Sequence, residues 1–428
     1  MNIVDLPEDI LINIFRKLNL CDLCNVIQTC KTFRDLVVND NTLWRKTCQN
    51  WLFMQNPSQI SPQICTSWYK RCRISSNWRW GLYKDKVIVR FETKYMPWMK
   101  YLYPDIIIFS KGYNLQCCSL SKRTNHSHNN ETFWTLGVPT VARHDVRTND
   151  ISRFILRNNI LACGNRDGSI AVYKTRNIKH KPKLLCHIKD CHENGQVEVS
   201  AVEIVGGNDY NHVVTASQQS RNLLFWQINK NDNNIQNSAM DISIRNGEGV
   251  KCLAVNNAMD KLAIGLDGNC CPLLLDTNSC NYLITADDVG YWNQVIRDIG
   301  WHNENTLVYV THKGMLYLLD VRTQEIVYKA NDPFISTLYC VKSDCNNAIM
   351  VGSAEYTRCV LFDARNSSKH VQMYFTHKRL SSPVYSLDFN STTLIAAADR
   401  SISALNFNVN ISALHRRDYS IEFQHYSA

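Results

Sequence analysis

The sequence lacks any apolar run that approaches the ~20 residues needed to cross a bilayer. It also lacks the basic stretch and apolar core of a signal peptide, because its first residues include Asp5, Glu8 and Asp9. Both absences argue against a membrane protein or a secreted one. We therefore expect a protein of the cytosol, the nucleus or both, with no membrane partner.

Sequence motifs of common enzymes are absent as well. No G-x-S-x-G, P-loop, H-E-x-x-H or Rossmann glycine pattern occurs, and the 13 histidines show no nucleophile–base spacing. The pairs Asp167-Gly168 and Asp267-Gly268 are predicted as turns between strands, not as phosphate-binding loops. The sequence therefore predicts a chain that is not an enzyme and needs no cofactor.

Charge and cysteine content narrow the range of partners. The net charge of +9 comes from dispersed Lys and Arg without a compact basic block, so we expect no nucleic-acid partner. A mildly basic surface equally suits acidic or phosphorylated peptides. The 18 cysteines are scattered, which indicates reduced thiols. Cys186, His187, Cys191 and His192 lie close together, but their spacing fits no familiar zinc site, and we predict no metal.

The first fifty residues show the apolar spacing of short amphipathic helices. Pro7 suits the first turn of a helix, and Glu8 and Asp9 suit its positive end. Asp22 is predicted to cap a second helix, and two more helices follow. A unit this small carries more apolar surface than its own core can bury. We therefore expect the surplus apolar surface to pack against either the rest of the chain or another protein.

The same residues resemble an F-box, through the run Leu6-Pro7-x-x-Ile10-Leu11-x-x-Ile14-Phe15-x-x-Leu18, then Asp22-Leu23, Cys30-x-x-Phe33 and Leu43-Trp44-Arg45. Phe33 stands where many family members carry Trp. The resemblance implies docking onto Skp1, which bridges to a cullin-1 ubiquitin ligase. By match to the motif, the residues that lead the Skp1 contact are Leu6, Pro7, Ile10 and Leu11, and those shared between the contact and the helical core are Ile14, Phe15, Leu23 and Val26.

After residue 77 the pattern changes to short alternating runs that repeat. The spacing apolar-x-x-apolar-x-apolar has a weaker first copy at Trp98 and then starts 48, 51, 46, 39 and 49 residues apart, at Ile151, Val199, Val250, Ile296, Ile335 and Val384. Two further apolar runs follow each start around a polar turn. Seven such repeats without intervening helices predict an all-β propeller of seven blades, with six or eight blades as the alternatives. Residues 78–91 and Tyr419–Phe423 are expected to close the ring, because open edge strands invite mispairing.

These repeats resemble degenerate WD repeats, in which Leu275-Asp276, Leu319-Asp320 and Phe362-Asp363 stand in place of Trp-Asp. An F-box followed by WD repeats is typical of the F-box/WD-repeat family. Asn77-Trp78-Arg79 and Met96-Pro97-Trp98-Met99 are similar to its dactylin branch. The predicted organisation is a small all-α F-box at 1–48, a helical connector at 49–77 and an all-β, WD40-like propeller at 78–428.

The resemblance implies a non-catalytic, substrate-recognition adaptor of a Skp1–cullin–F-box (SCF) ubiquitin ligase, which promotes ubiquitination and proteasomal degradation of a target held by the propeller. Family members that read phosphorylated targets use arginines on one propeller face. The corresponding candidates here are Arg143, Arg166, Arg221 and Arg358, with surface salt bridging as the alternative for each.

One alternative is a receptor of a different ligase. Asp320-Val321-Arg322 and Asp363-Ala364-Arg365 resemble the Asp-x-Arg motif by which WD-repeat receptors dock onto the cullin-4 adaptor. The competing interpretation is that Arg322 and Arg365 only satisfy groups of their own blade.

The other alternative is a WD-repeat scaffold without a ubiquitin role, whose N-terminal helices pack on the propeller itself. Coverage of Ile10 and Leu11, with Trp44, Trp51 and Trp68 buried against the propeller, would favour this scaffold. An exposed face over Leu6–Leu11 would favour the adaptor.

Overall fold

The computed structural model describes residues 3–55, 67–102, 104–120, 131–144, 149–206, 210–229, 239–244, 249–284, 293–367, 369–377 and 381–410. Within these ranges, no helix combines the length and the apolar character that crossing a membrane requires. The predicted closing segment Tyr419–Phe423 lies outside the described residues.

The N-terminal part consists of short helices, as the apolar spacing predicts. A 3-10 turn at Ile3–Asp5 precedes α1 (Glu8–Phe15), α2 (Leu20–Thr29), α3 (Lys31–Asn39), α4 (Asn41–Thr47) and, after a break, α5 (Trp68–Arg79). The cap of α2 is Asn19 rather than Asp22, because the Asn19 side chain accepts a hydrogen bond from the Asp22 amide. Asp40 caps α4 in the same way.

These helices share one apolar core. Leu11, Phe15, Leu23 and Trp44 are all buried in it. The rings of Phe15 and Phe33 meet edge to face at 5.2 Å, so Phe33 fills its place as an aromatic core residue. The buried Trp44 indole satisfies its donor by binding the Val37 carbonyl oxygen at 2.7 Å.

Beyond α5 the described chain is built from strands. They are β1 (Lys84–Arg90), β2 (Met99–Leu102), β3 (Ile106–Lys111), β4 (Asn114–Ser119), β5 (Thr132–Gly137), β6 (Ile151–Arg157), β7 (Ile160–Asn165), β8 (Ile170–Lys174), β9 (Lys183–Ile188), β10 (Ala201–Gly206), β11 (Tyr210–Ala216), β12 (Asn222–Asn229), β13 (Met240–Ser243) and β14 (Gly249–Val255). They continue as β15 (Lys261–Asn269), β16 (Leu273–Asp276), β17 (Tyr282–Ile284), β18 (Asn293–Asn303), β19 (Thr306–Thr311), β20 (Met315–Asp320), β21 (Glu325–Asn331), β22 (Leu338–Ser343), β23 (Ala348–Ser353), β24 (Arg358–Asp363), β25 (Gln372–Phe375), β26 (Val384–Phe389), β27 (Thr393–Ala398) and β28 (Ser401–Asn406).

Among the described residues these strands form six antiparallel sheets. Five have four strands, namely β2–β5, β6–β9, β10–β13, β22–β25, and β26–β28 with β1; the sixth joins β14–β17 to β18–β21 where β15 pairs with β18. The innermost strands β6, β10, β14, β18, β22 and β26 contact one another in succession, and β26 also contacts β2. The sheets thus form the predicted WD40-like propeller, whereas the count of seven blades stays a prediction. The segment 78–91 supplies a closing strand, because β1 pairs with β28.

In the propeller, two local predictions are wrong. Asp267-Gly268 is not a turn, because β15 runs through it and pairs there with β18. Ile335 does not begin an innermost strand; it lies in the loop before β22 with 71% of its surface exposed. Leu338, which is fully buried, occupies the strand position that the repeat spacing predicts for Ile335.

Helix α5 connects the helical unit to the propeller. Cys72 belongs to the core of the helical unit, whereas Ile74 and Trp78 belong to the core of the sheets β22–β25 and β26–β28. The Trp78 indole stacks on Phe407 with the ring centroids 3.5 Å apart, and its N–H donates to the Ser391 carbonyl oxygen at 3.0 Å. One helix therefore anchors both parts of the molecule.

Candidate functional site

The helical unit has an exposed apolar face, which we call the α1 face and define as Ile3, Val4, Pro7, Ile10 and Ile14. Ile10 is 43% exposed and Ile14, one helical turn later, is 38% exposed. Ile3 and Val4 are exposed as well, and Leu6 is half-buried beside them. Isolated apolar side chains on a surface are ordinary, but a contiguous group of this kind marks an interaction site.

The predicted Skp1-binding residues divide between this face and the helical core. Leu11, Phe15 and Leu23 are buried in the core, and Val26 is half-buried against it. Leu11, which was expected to lead the contact, faces away from solvent because α1 presents it to the other helices. Of the predicted Skp1-binding residues, those that remain accessible to a partner are Leu6, Pro7, Ile10 and Ile14.

Trp44, Trp51 and Trp68 of the helical unit are not buried against the propeller, as the scaffold interpretation requires. Trp44 is buried in the core of the helical unit, and Trp51 and Trp68 pack against that same core while staying partly exposed. Ile10 is exposed rather than covered. The N-terminal helices therefore leave their α1 face open while α5 contacts the propeller.

A second candidate surface lies where the innermost strands of the propeller begin. Five of these strands carry a β-bulge directly after the first apolar residue of their repeat, at the equivalent positions Ser152, Lys251, Arg297, Tyr339 and Tyr385. A bulge turns the side chain of the extra residue away from its normal direction. All five side chains line one cavity of about 150 Å³, together with Met96, Trp98, Arg153, Arg166, Glu198 and Ser200. We call this cavity the mouth.

The mouth carries an excess of positive charge. Its lining includes Arg153, Arg166, Lys251 and Arg297 but only one carboxylate, Glu198, which binds Arg166 at 2.9 Å. Burial and the neighbouring Arg297 guanidinium lower the pKa of Lys251. Neither Lys251 nor Arg297 has a carboxylate partner within ion-pair distance in the described part of the chain. Such a site attracts anions.

Aromatic rings hold the cations of the mouth in place. The Arg153 guanidinium lies 4.1 Å from the Trp98 ring centroid and binds Asp298 at 3.1 Å. The Arg297 guanidinium lies 4.3 Å from the centroid of Tyr339, whose ring meets Tyr385 edge to face. Arg297 is thus oriented by a ring while its donors stay available to a ligand.

The four arginines predicted to bind a target have different surroundings. Arg166 lines the mouth. Arg143 pairs with Asp190 at 3.0 Å and donates to two backbone carbonyls, and Arg221 is exposed just before β12. Arg358 is only 1% exposed, and its guanidinium binds Asp332 and Ser353. The structure therefore argues against Arg358 as a direct contact, because surface exposure is what that role requires.

The Asp-x-Arg motifs form local ion pairs. Arg322 binds Asp320 at 2.7 Å, and its hydrogen bonds lower the pKa of Asp320 to about 2. Arg365 binds Asp363 at 2.6 Å and also donates to the Asn50 carbonyl oxygen at 3.4 Å. These contacts favour the interpretation in which both arginines satisfy groups of this chain.

In the Cys/His cluster of residues 186–192, His192 takes part in a buried hydrogen-bond network of the propeller. His192 is buried, and its Nε2 lies 3.1 Å from the Thr215 hydroxyl, which also accepts the Trp226 indole N–H at 3.0 Å. Burial lowers the pKa of His192 to about 4. Among the described residues, no group of three or more His, Cys, Asp and Glu side chains is placed to hold a metal ion.

Comparisons with known proteins agree with both parts of this architecture. The family model described as F-box-like matches residues 3–50. Two curated relatives, the F-box/WD repeat-containing protein 4 of Mus musculus and that of Homo sapiens, are each 24% identical to this chain. Both alignments cover 94% of the chain and 92% of the relative. The predicted similarity to the F-box/WD-repeat family is therefore confirmed. The expected similarity to the dactylin branch is confirmed as well.

F-box/WD-repeat proteins are typically non-catalytic adaptors of the SCF type. In this chain the F-box-like unit carries the α1 face and the propeller carries the mouth, with α5 between them. The first surface is apolar and suits a protein partner. The second is cationic and aromatic and suits an acidic segment.

Proposed function

We propose that this F-box/WD-repeat protein is the substrate-recognition adaptor of a Skp1–cullin-1–F-box ubiquitin ligase in the cytosol or the nucleus. Its α1 face binds Skp1, and its mouth binds a target protein that is then ubiquitinated and degraded by the proteasome. The observation that carries this proposal is the exposure of Ile10 and Ile14 on a unit whose other large apolar residues are mostly buried or half-buried.

Two features support Skp1 as the partner of the α1 face. The exposed residues Pro7, Ile10 and Ile14 and the half-buried Leu6 coincide with motif positions, and the match to the F-box-like model spans them. Leu11, Phe15 and Leu23 keep the helices packed. The surface is therefore preformed, so binding does not need to order it first.

The propeller supports the second half of the mechanism. Its mouth offers Lys251 and Arg297 without a carboxylate partner in the described residues, so an acidic or phosphorylated segment of a target restores charge balance there. A target held in this way experiences a high effective concentration of the ubiquitin carrier that the ligase brings. The adaptor itself supplies no reacting group.

The test is Skp1 binding by the purified full-length chain, comparing wild type with Ile10→Asp/Ile14→Asp. Ile10 and Ile14 expose 43% and 38% of their surface, and burying these remainders contributes about 0.6–1.2 kcal/mol each. A carboxylate at each position adds a desolvation cost of about 1–3 kcal/mol. We therefore expect the dissociation constant to rise at least about a hundredfold. Leu11→Asp is unsuitable, because it would place a charge in the helical core.

Leu184→Asp is the matched control, because Leu184 is 43% exposed like Ile10 but lies on β9 of the propeller. This variant should bind Skp1 as wild type does. Failure of the wild-type chain to bind Skp1, or equal binding by Ile10→Asp/Ile14→Asp, would contradict the proposal.

A further inference from the structure

Beside the mouth, two loops display large apolar side chains. Ile335 is 71% exposed, Tyr356 is 57% exposed and Phe334 is 38% exposed. The first and last belong to the loop before β22, and Tyr356 belongs to the turn between β23 and β24. In an antiparallel sheet both connections lie at the end where β22 begins, which is also where Tyr339 enters the mouth. We call these three residues the apolar platform.

The backbone of the platform is strained. Ile335 has a φ of +57° and Tyr356 a φ of +59°. This left-handed region is rare for any residue with a side chain and is an outlier for a β-branched one. Strain of this kind persists only where surrounding contacts impose it, and it concentrates at binding sites.

Several contacts hold the loop in this conformation. The Asp332 carboxylate accepts the amide N–H groups of Phe334 and Ser336 at 3.0 Å each, and the Ile335 amide donates to the Asp332 carbonyl oxygen, also at 3.0 Å. Gly314 lies beneath the loop, where an added Cβ would come within 2.7 Å of the Ser336 carbonyl oxygen. The loop is therefore fixed while the Ile335 side chain projects into solvent.

A buried ion pair joins the two loops of the platform. Arg358 is two residues after Tyr356; its guanidinium binds Asp332 at 2.7 Å and lies 4.2 Å from the Phe334 ring centroid. Both members of the pair are almost completely buried. Arg358 thus organises the platform from below instead of contacting a ligand.

The platform and the mouth are close. Ile335 and Tyr339 are four residues apart, so their Cα atoms are separated by at most about 14 Å. The Arg297 guanidinium lies 4.3 Å from the Tyr339 ring centroid, which places a cation at the mouth side of this span. An extended peptide covers the same distance in about four residues.

We propose that the mouth and the apolar platform form one composite site for a short extended segment of the target. An anionic side chain of this segment binds Arg297 and Lys251, and a large apolar side chain within about four residues of it packs on Phe334, Ile335 and Tyr356. The inference rests on the proposed function, because it specifies what the propeller recognises. The proposed occupant is a peptide, because the mouth is positively charged and the apolar platform lies next to it.

The probe is a set of short degenerate peptide libraries, each fixed at its centre with serine, glutamate or phosphoserine. The full-length wild-type chain should select the glutamate or the phosphoserine library, and comparison of these two identifies the source of the negative charge. Within the selected library, Leu, Ile, Phe or Tyr should be enriched within about four residues of the centre.

Two variants separate the halves of the site. Ile335→Asn/Tyr356→Asn should abolish the apolar enrichment and keep the preference for negative charge, because asparagine tolerates a positive φ. Arg297→Ala should weaken binding of the selected peptides about tenfold or more. The controls are Val327→Asn, an exposed apolar residue on β21, and Arg176→Ala, an exposed arginine after β8; neither should change the selection.

Selection of a charge without an apolar neighbour, or apolar enrichment that survives Ile335→Asn/Tyr356→Asn, would overturn the composite site. So would the absence of any preference for negative charge. Concentration-dependent dimerisation that Ile335→Asn abolishes would overturn it too, since a second copy would then cover the platform. Skp1 binding, measured on the same preparations, shows separately whether the adaptor function itself fails.

Discussion

Replacing Ile335 with asparagine should leave the protein as stable as wild type or make it more stable by up to about 1 kcal/mol. The left-handed conformation costs a β-branched residue about 1–2 kcal/mol, and asparagine less, because its short polar side chain binds locally. The loss is small, because Ile335 is already 71% exposed and burial of the remainder contributes less than about 0.9 kcal/mol. The free energy gained by relieving the backbone strain therefore matches or exceeds the free energy lost with the contacts of the Ile335 side chain.

The measurement is urea-induced unfolding followed by tryptophan fluorescence, with the slope of the transition checked for equality between variants. Ile335→Ala is the informative comparison, because it removes the same contacts without the local bonding of asparagine, so it should be less stable than Ile335→Asn. Val327→Asn on β21 should cost about 0.5–1 kcal/mol, since asparagine is a poor strand residue. If Ile335→Asn destabilises the chain as much as Val327→Asn does, the strain at Ile335 is not real.

Two further predictions concern the interior of the propeller. Arg358→Met should destabilise the protein by about 3–5 kcal/mol, because it leaves the buried Asp332 carboxylate without its cation. Asp332→Asn/Arg358→Met should recover part of this loss in the same unfolding assay. Equal loss in both variants would contradict the buried ion pair. The second prediction concerns pH. Burial holds the pKa of His192 at about 4, below its ordinary 6.5, so the unfolded chain takes up a proton at this residue before the folded chain does. The free energy of unfolding should therefore fall by up to about 3 kcal/mol as pH drops from 6.5 to 4. His187, His212 and His302 also have lowered pKa values and stay in both proteins, so the difference between wild type and His192→Gln isolates this residue; parallel pH profiles would refute it.

The architecture was predictable because its signals are local. Helical spacing around Ile10 and Ile14, and apolar runs such as Ile160–Cys163 followed by Asp167-Gly168, repeat within a few residues, and the structure forms helices and hairpins there. Asp267-Gly268 has the same composition as a turn. Its β15 strand nevertheless continues, because pairing with β18 outweighs the local preference.

The mouth was harder to predict, although a signal for it exists. Lys251 and Arg297 each follow the first apolar residue of a repeat, Val250 and Ile296, and only the bulges direct these positions toward a common cavity. Comparing this one column across the repeats would have identified them. The family resemblance instead pointed to Arg143, Arg166, Arg221 and Arg358. Of these, Arg166 lines the mouth, whereas the fold buries Arg358.

Ile335 shows where apolar spacing misleads. Its side chain fits the repeat pattern as well as Leu338 does, because a pattern of residue types contains no information on the sign of φ. The contacts that give Ile335 its conformation come from Asp332 and Gly314, and Gly314 lies in the turn between β19 and β20, two strands of a different sheet from β22. Only the assembled propeller therefore separates a core isoleucine from one displayed on the surface.

The position of α5 determines how the two surfaces work together. Cys72 lies in the F-box core and Trp78 in the propeller core, six residues and less than two helical turns apart. A helix this short bends little, and its ends are held by Trp44–Tyr69 contact on one side and by Trp78–Phe407 stacking on the other. A flexible linker would let a bound target sample many positions, which lowers its effective concentration at the ubiquitin carrier. Because α5 is shared by both cores, the proposed function implies that a target bound in the mouth is presented in one orientation relative to a partner on the α1 face.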